Sequence, residues 1–457
     1  MKQAVQKQKL DMLNGPLWNK IPQFALPVAA TAILEQLFNA SDIAVVGNFS
    51  GAASTIAVAA VGANSFVISL VVNFFIGIAL GANVVIANAI GREDTDAVHR
   101  AVHTAVVVAV LGGALVTVLG ELVAGPALRA LNVPVEVLPY ALLYLRIYLL
   151  GVPVILLYNF EAAIFRSVGD TRVPLQTLAF SGVLNVLLNL FFVIVLHMTV
   201  NGVATATVLS NAISSVLLFV RLRRSDKAIH LEWTALRIDR RSLQKILQIG
   251  IPAGIQSAVF SISNIVIQSA INSLGTVVMA ASSAAFNIEV VAYDVLNSFS
   301  QACTTFVGQN YGAGKLDRCR KTLVLCLVED ALASGIAILL VLGSGHFLLS
   351  LFNRDPEVIA LGYTRLMTVF TAYFFSMLYE VMSGYLRGFG ISLVPALLTM
   401  LGVCGVRILW IATAFPRSRT FQTILLAYPL SLAATAVLIL LALLIYHPSR
   451  RTKGETV

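Results

Sequence analysis

Long apolar runs, each separated from the next by a short polar or charged stretch, organise this chain from end to end. They fall at 21–46, 56–88, 101–125, 137–163, 174–197, 202–220, 246–272, 277–307, 322–350, 358–385, 395–416 and 421–446. Crossing about 30 Å of hydrocarbon takes about 20 residues of α-helix, and these runs have that length. Helix is the state expected for all of them, because a backbone in lipid must pair its N–H and C=O groups within its own segment. The run 277–307 is the least apolar, since it carries Glu289, Asp294 and Gln301. The pattern predicts an all-α polytopic membrane protein with 12 transmembrane helices.

Composition agrees. Of 457 residues, 58% are hydrophobic and 12% are charged, whereas a soluble chain carries roughly twice that charge. Soluble enzymes, fibrous proteins and disordered chains are excluded. The net charge is +9, from 31 Lys and Arg against 22 Asp and Glu. With the N-terminus inside, 24 basic residues fall on the inner segments and four (Arg129, Arg354, Arg417, Arg419) on the outer loops. Three more, Arg146, Arg365 and Arg407, lie within spans. Both termini are therefore expected in the cytoplasm, with the spans in the cell (plasma or inner) membrane. The basic surplus marks topology rather than nucleic-acid binding. The first 20 residues hold Lys2, Lys7, Lys9 and Lys20 and lack the apolar core of a signal peptide. The four cysteines (Cys303, Cys319, Cys326, Cys404) show neither zinc nor redox spacing.

The two halves of the chain repeat at an offset of 221 residues: Asn73 matches Asp294, Gly91 matches Gly312, Arg166 matches Arg387, Gly169 matches Gly390 and Pro174 matches Pro395. In the first helix of each half the offset is 225, pairing Pro27 with Pro252 and Asn39 with Asn264. Six helices per half is an even number, so both halves insert the same way up, as two parallel six-helix lobes (a 6+6 repeat). Parallel repeats of this kind are a transporter architecture, with the substrate cavity between lobes. The expected organisation is a cytoplasmic N-terminus (1–20), lobes at 21–220 and 246–446, a linker at 221–245 and a cytoplasmic C-terminus (447–457).

Two local patterns suggest other chemistry and fail on inspection. Gly312-Ala313-Gly314-Lys315 resembles part of a phosphate loop, but Gln309 and Leu316 stand where that motif needs Gly and Ser or Thr. His99 and His103 share a helix face at metal-ligand spacing, yet they read as an interfacial pair at a helix end without metal. No motif argues for an enzyme.

Ionisable side chains inside a membrane cost about 2.5–3.5 kcal/mol on insertion scales and are therefore functional candidates. The first helix places Thr31, Glu35, Asn39 and Asp42 on one face. Pro27 precedes this stripe, frees a backbone carbonyl and marks a hinge. A carboxyl group held in such a place has the chemistry of a proton carrier. Asn185 and Asn189 share a face of helix 5, and helix 6 carries Thr205 and Thr207. In the second half, Glu289 and Asp294 lie on helix 8, Glu329 and Asp330 on helix 9 and Glu380 on helix 10. They read either as cavity groups or as structural partners of Arg146, Arg365 or Arg407. The stripe on helix 7 is Gln256, Phe260, Asn264 and Ile267, with no acid anywhere in 246–272. Phe38, Phe66, Tyr144, Tyr148, Tyr158 and Tyr293 are aromatic candidates for a cavity wall.

In these residues the chain resembles the multidrug and toxic compound extrusion (MATE) family, over about residues 20–446. The resemblance is carried by Ala25-Leu26-Pro27, by Asp42 followed by Val45-Val46-Gly47, and by Ala59-Ala60-Val61-Gly62. It continues in Gly169-Asp170-Thr171 before Pro174, in Gly202-Val203-Ala204-Thr205-Ala206-Thr207, in the run Val307–Lys315 and in Leu386-Arg387-Gly388. It implies an outward-facing, V-shaped pair of six-helix lobes and alternating access. It also implies export of amphipathic, usually cationic compounds driven by inward H⁺ or Na⁺, with no prosthetic group. In the proton-coupled bacterial branch, the coupling aspartate corresponds to Asp42, its helix 5 partners to Asn185 and Asn189, and a helix 6 threonine to Thr207. Relatives often carry Asp where Asn189 stands, and Glu35 is the group placed to supply that missing acid. A cation site on helices 7 and 10 of other relatives corresponds to Phe260 and Ser376 here and is expected to be absent, although Glu380 remains. The expected function is proton-coupled, less readily sodium-coupled, efflux by a monomer in contact with small-molecule substrates and membrane lipids. A lipid-linked sugar flippase of the same superfamily, or a non-transporting receptor or channel-like component, is the alternative.

Overall fold

The computed structural model describes residues 10–131, 133–225 and 228–448. Among them are 12 helices long and apolar enough to cross a membrane. They are α1 (Lys20–Phe49), α2 (Ser54–Gly91), α3 (Thr95–Ala130), α4 (Leu138–Ser167), α5 (Arg172–Val195), α6 (Val200–Arg223), α7 (Arg240–Asn272), α8 (Thr276–Gly312), α9 (Leu316–Ser350), α10 (Pro356–Gly388), α11 (Leu393–Thr413) and α12 (Phe421–Tyr446). Each expected span contains one helix. Most helices run a few residues past the apolar run into polar flanks, where water and caps satisfy the free backbone ends. The run 277–307 is the middle of α8, so its acids did not interrupt the helix.

The internal repeat is visible in backbone geometry. Gly169 and Gly390 both adopt a left-handed conformation (φ 82° and 85°) after α4 and α10. In each case the glycine N–H returns to the carbonyl of the preceding arginine, Arg166 at 2.9 Å or Arg387 at 2.8 Å. This is a helix stop that only glycine adopts without strain. The repeat is inexact elsewhere. α5 ends in a π-helical turn at Phe191–Val195, whereas α11 carries one at Met400–Gly405, at a position that does not correspond.

The chain forms two units, which we call N-terminal (Ala30–Gly250) and C-terminal (Leu10–Ala29 with the chain from Ile251 onward). The division therefore falls inside α1 and α7, close to Pro27 and Pro252, rather than at the helix–loop edges 21–220 and 246–446 that sequence suggests. Side-chain burial explains the difference. Ile21, Phe24 and Ala25 are buried in the same cluster as Phe299, Phe306 and Tyr385, with the Phe24 and Phe306 rings edge to face at 5.9 Å. At the start of α7, Ile246 and Ile249 belong to the cluster of Ile78, Ala82 and Val102. Lys315 finds an ordinary occupation. Its Nζ donates to the Leu13 carbonyl at 2.9 Å, next to Arg318, which donates to the carbonyls of Gly15 and Met12. The glycine-lysine run thus fastens the segment before α1.

Candidate functional site

The polar stripe of α1 opens into a cavity inside the N-terminal unit that holds about 160 Å³. Glu35, Phe38, Asn39 and Asp42 form its α1 wall, Tyr148, Tyr158 and Asn159 its α4 wall, and Asn185 and Thr207 its α5 and α6 walls. Helical spacing produces this convergence. Residues three or four apart on α1 share a face, as do Ser181, Asn185 and Asn189 on α5. Gly182 on α5 lets the two helices meet: a Cβ there would lie 1.8 Å from the Phe38 ring, so any larger residue must displace that ring.

Asp42 is 5% exposed. Its Oδ1 accepts the Asn189 amide at 2.6 Å and its Oδ2 accepts the Thr207 hydroxyl at 2.9 Å. The Asn189 amide also reaches Asn185 Oδ1 at 3.2 Å, joining the two asparagines. Thr207 Oγ1 lies 3.0 Å from the Val203 carbonyl as well. A hydroxyl has one proton and two lone pairs. Thr207 therefore donates to Asp42 or to Val203, and when it donates to Val203 it can accept a hydrogen bond from protonated Asp42. The coupling candidates Asp42, Asn185, Asn189 and Thr207 are thus together in space, with Glu35 and Asn39 in the same cavity.

The candidates of the C-terminal unit do not line this cavity. Glu289 is buried in a bidentate pair with Arg365, whose Nε and Nη2 lie 2.7 and 2.9 Å from its two oxygens. Tyr428 accepts a further guanidinium bond at 3.2 Å, and its ring lies 5.3 Å from the same guanidinium. Glu289 is therefore a structural partner, as one of the two sequence readings had it, and not a cavity group. Gln256 accepts from Arg387 at 2.8 Å, and Glu380 accepts the Tyr293 hydroxyl at 3.0 Å. Asp330 is bound by Ser334 at 2.6 Å. Asn264 is exposed and Asp294 half-buried. Arg407 lies over the Tyr428 ring at 4.5 Å, and Arg146 pairs with Glu121 at 3.4 Å on the outside of the helices. Of the aromatic candidates, Phe38, Tyr148 and Tyr158 line the cavity, while Phe66, Tyr144 and Tyr293 do not.

One acid in the N-terminal unit escaped sequence reading. Glu161 on α4 is fully buried, and its Oε2 accepts the Ser215 hydroxyl at 3.0 Å. It lies one turn beyond the cavity residue Tyr158. The signal was available, since Glu161 is the only acid in the apolar run 137–163.

Two six-helix repeats, a proline within the first helix of each, and a carboxylate facing a cavity are features of a membrane transporter. The MatE family model matches residues 27–191 and 252–412. The chain belongs to the MatE family, whose members are membrane transporters and not enzymes, and it is accordingly a multi-pass membrane protein. It is 26% identical over 401 residues to the probable multidrug resistance protein YoeA of Bacillus subtilis, covering 86% of each chain. It is 27% identical over 411 residues to the probable multidrug resistance protein NorM of Thermotoga maritima, covering 88% of this chain and 85% of that one. A solved outward-facing structure of a multidrug resistance MATE family transporter of the MOP superfamily superimposes with a TM-score of 0.89 at 19% identity. That superposition covers 98% of this chain and 99% of the other. At this identity the likeness speaks for the fold.

Proposed function

We propose that this chain exports amphipathic organic cations in exchange for inward-moving protons, with Asp42 as the proton-carrying group. The observation that carries the reading is the setting of Asp42: a buried carboxylate at a cavity wall whose hydrogen-bond partners, Asn189 and Thr207, are both neutral. When Asp42 is ionised, both partners donate to it. When Asp42 carries a proton on Oδ2, it donates to Thr207, whose own proton turns to the Val203 carbonyl. Both protonation states are hydrogen-bonded without moving a helix, which suits a group that must load and unload a proton in every cycle. Glu35 adds a second carboxyl group, and the rings of Phe38, Tyr148 and Tyr158 add aromatic faces, the surroundings an organic cation favours. Proton binding at Asp42 weakens the hold on the cation, so exchange follows from competition for one charge. Pro27 supplies the bend by which α1 responds.

A lipid-linked sugar flippase needs cationic groups for a diphosphate. The intramembrane arginines are engaged instead with Glu121, Glu289 and Tyr428, which favours the cation exporter. The deciding experiment is efflux of a fluorescent organic cation, ethidium, from proteoliposomes under an imposed pH gradient. Proton-driven efflux is expected. Efflux driven only by a sodium gradient would reassign the coupling ion, and no efflux under either gradient would remove the reading.

A further inference from the structure

The connection between α6 and α7 is folded onto the N-terminal unit rather than strung between helices. Ile229 and Leu231 are buried in the cluster that contains Val98, Val102 and Leu222. His103 Nε2 accepts the Glu232 N–H at 3.0 Å, so the ring proton sits on Nδ1, 2.7 Å from the His99 carbonyl. Thr104 Oγ1 accepts the Asp239 N–H at 3.0 Å, and the Asp239 carboxylate caps α7 through the Ser242 N–H at 2.8 Å. This anchored segment turns Trp233 (60% exposed) and Ile238 (45% exposed) outward. Arg223, Arg224, Arg237 and Arg241 are exposed with them. The indole of Trp233 folds back onto Phe219, with ring centroids 5.0 Å apart, and Phe219 lies one turn inside the end of α6. The indole is therefore level with the last turn of α6. In all, residues 221–245 carry eight basic and three acidic side chains.

An exposed tryptophan at the end of a membrane-spanning helix, beside clustered arginines, is the chemistry of an anchor for negatively charged headgroups. We propose that this face docks anionic phospholipids of the bilayer, with the Trp233 indole at the headgroup–acyl boundary and the arginines gripping phosphate oxygens in two-pronged hydrogen bonds. Net charge decides the occupant. Phosphatidylcholine has a phosphate too, but its choline cancels the charge that the arginines seek. The bonds from His103 and Thr104 order the segment in advance, so little ordering entropy opposes lipid binding. The inference does not depend on the transport reading.

The test uses the full chain in vesicles of phosphatidylcholine alone or mixed with phosphatidylglycerol. The Trp233 signal is isolated as the fluorescence of wild type minus that of Trp233→Phe, which leaves Trp18 and Trp410 in place. Bromine on the acyl chains of one lipid or the other reports which is adjacent. We expect brominated phosphatidylglycerol to quench Trp233 at lower mole fraction than brominated phosphatidylcholine. Each of Arg223→Gln, Arg224→Gln and Arg237→Gln should reduce that preference by roughly fivefold or less. Equal quenching by the two lipids in wild type overturns the proposal with no further variant needed. So does a Trp233 signal that aqueous iodide quenches fully in both vesicles. Relief of the quenching by millimolar inorganic phosphate also overturns it, because the site would then be a free-anion site.

Discussion

Asp42 in the N-terminal unit and Glu289 in the C-terminal unit are both buried carboxylates on long apolar helices, but their partners differ in kind. Glu289 meets a guanidinium that engages both its oxygens, and Arg365 is further held by Ser282 and by Tyr428. Asp42 meets an amide and a hydroxyl, both neutral. A carboxylate clamped by a charge has nothing to gain from a proton and serves as a fixed strut. A carboxylate with neutral donors can exchange a proton while its neighbours reorient. Burial of an acid in a membrane protein is thus compatible with either role, and for these two acids the charge of the partner separates them. Glu161, Asp330 and Glu380 also meet neutral hydroxyls, and what sets Asp42 apart from them is its place on the cavity wall.

The largest effect is expected where that separation is attacked directly. Asp42→Asn keeps shape and hydrogen bonding but removes titration, so proton-driven efflux should fall to background while downhill substrate exchange persists. Proteoliposome flux under both regimes checks this. Arg365→Met, by contrast, should damage folding rather than coupling. It strands Glu289 without its cation, at a cost of about 3–5 kcal/mol. Thermal unfolding in detergent should show the loss, and Glu289→Gln combined with Arg365→Met should recover part of it.

Smaller effects sharpen the picture at Asp42. Thr207→Val leaves Oδ2 without its hydroxyl partner, at a cost of about 1–3 kcal/mol to one protonation state. Efflux should slow by about tenfold or more and its pH profile should shift, whereas Thr207→Ser should behave as wild type. Pro27→Ala should insert and fold normally yet turn over slowly, because it restores a helix hydrogen bond where α1 needs to bend. Wild-type turnover there would remove bending from the mechanism. The smallest effect lies outside the spans. The Ser242 hydroxyl and N–H hold the Asp239 carboxyl below the usual carboxylate range. Its folded value is depressed, so the cap stabilises α7 at neutral pH and loses that contribution as pH falls through the folded value. Asp239→Ala should cost about 1 kcal/mol, read in the same unfolding assay.

Much of this was legible in the sequence, because it depends on local pattern. The spans follow from runs of apolar residues, the repeat from offsets of 221 and 225, and the α1 stripe from helical spacing. The MATE resemblance pointed to Asp42, Asn185, Asn189 and Thr207 together, and they meet. What stayed hidden depends on contacts between residues far apart in the chain. Glu289 and Arg365 are 76 residues apart, and hydropathy does not say which arginine a given acid will meet. His99 and His103 read as an interfacial pair without metal, and the sequence does not show that His103 holds the linker through Glu232. The division of the chain within α1 and α7 follows from which cluster Phe24 and Ile246 enter, and an apolar helix gives no hint of that. Glu161 is legible as the only acid in the run 137–163, whereas its complete burial and its bond to Ser215 are not.

The most direct test of the central claim is proton release on substrate binding, measured with a pH indicator in weakly buffered detergent solution. Wild type should release about one proton per bound organic cation, Asp42→Asn none, and Glu289→Gln, if it folds, the wild-type amount. Release that survives in Asp42→Asn but disappears in Glu380→Gln or in Glu289→Gln would contradict the account and move the coupling site to the C-terminal unit.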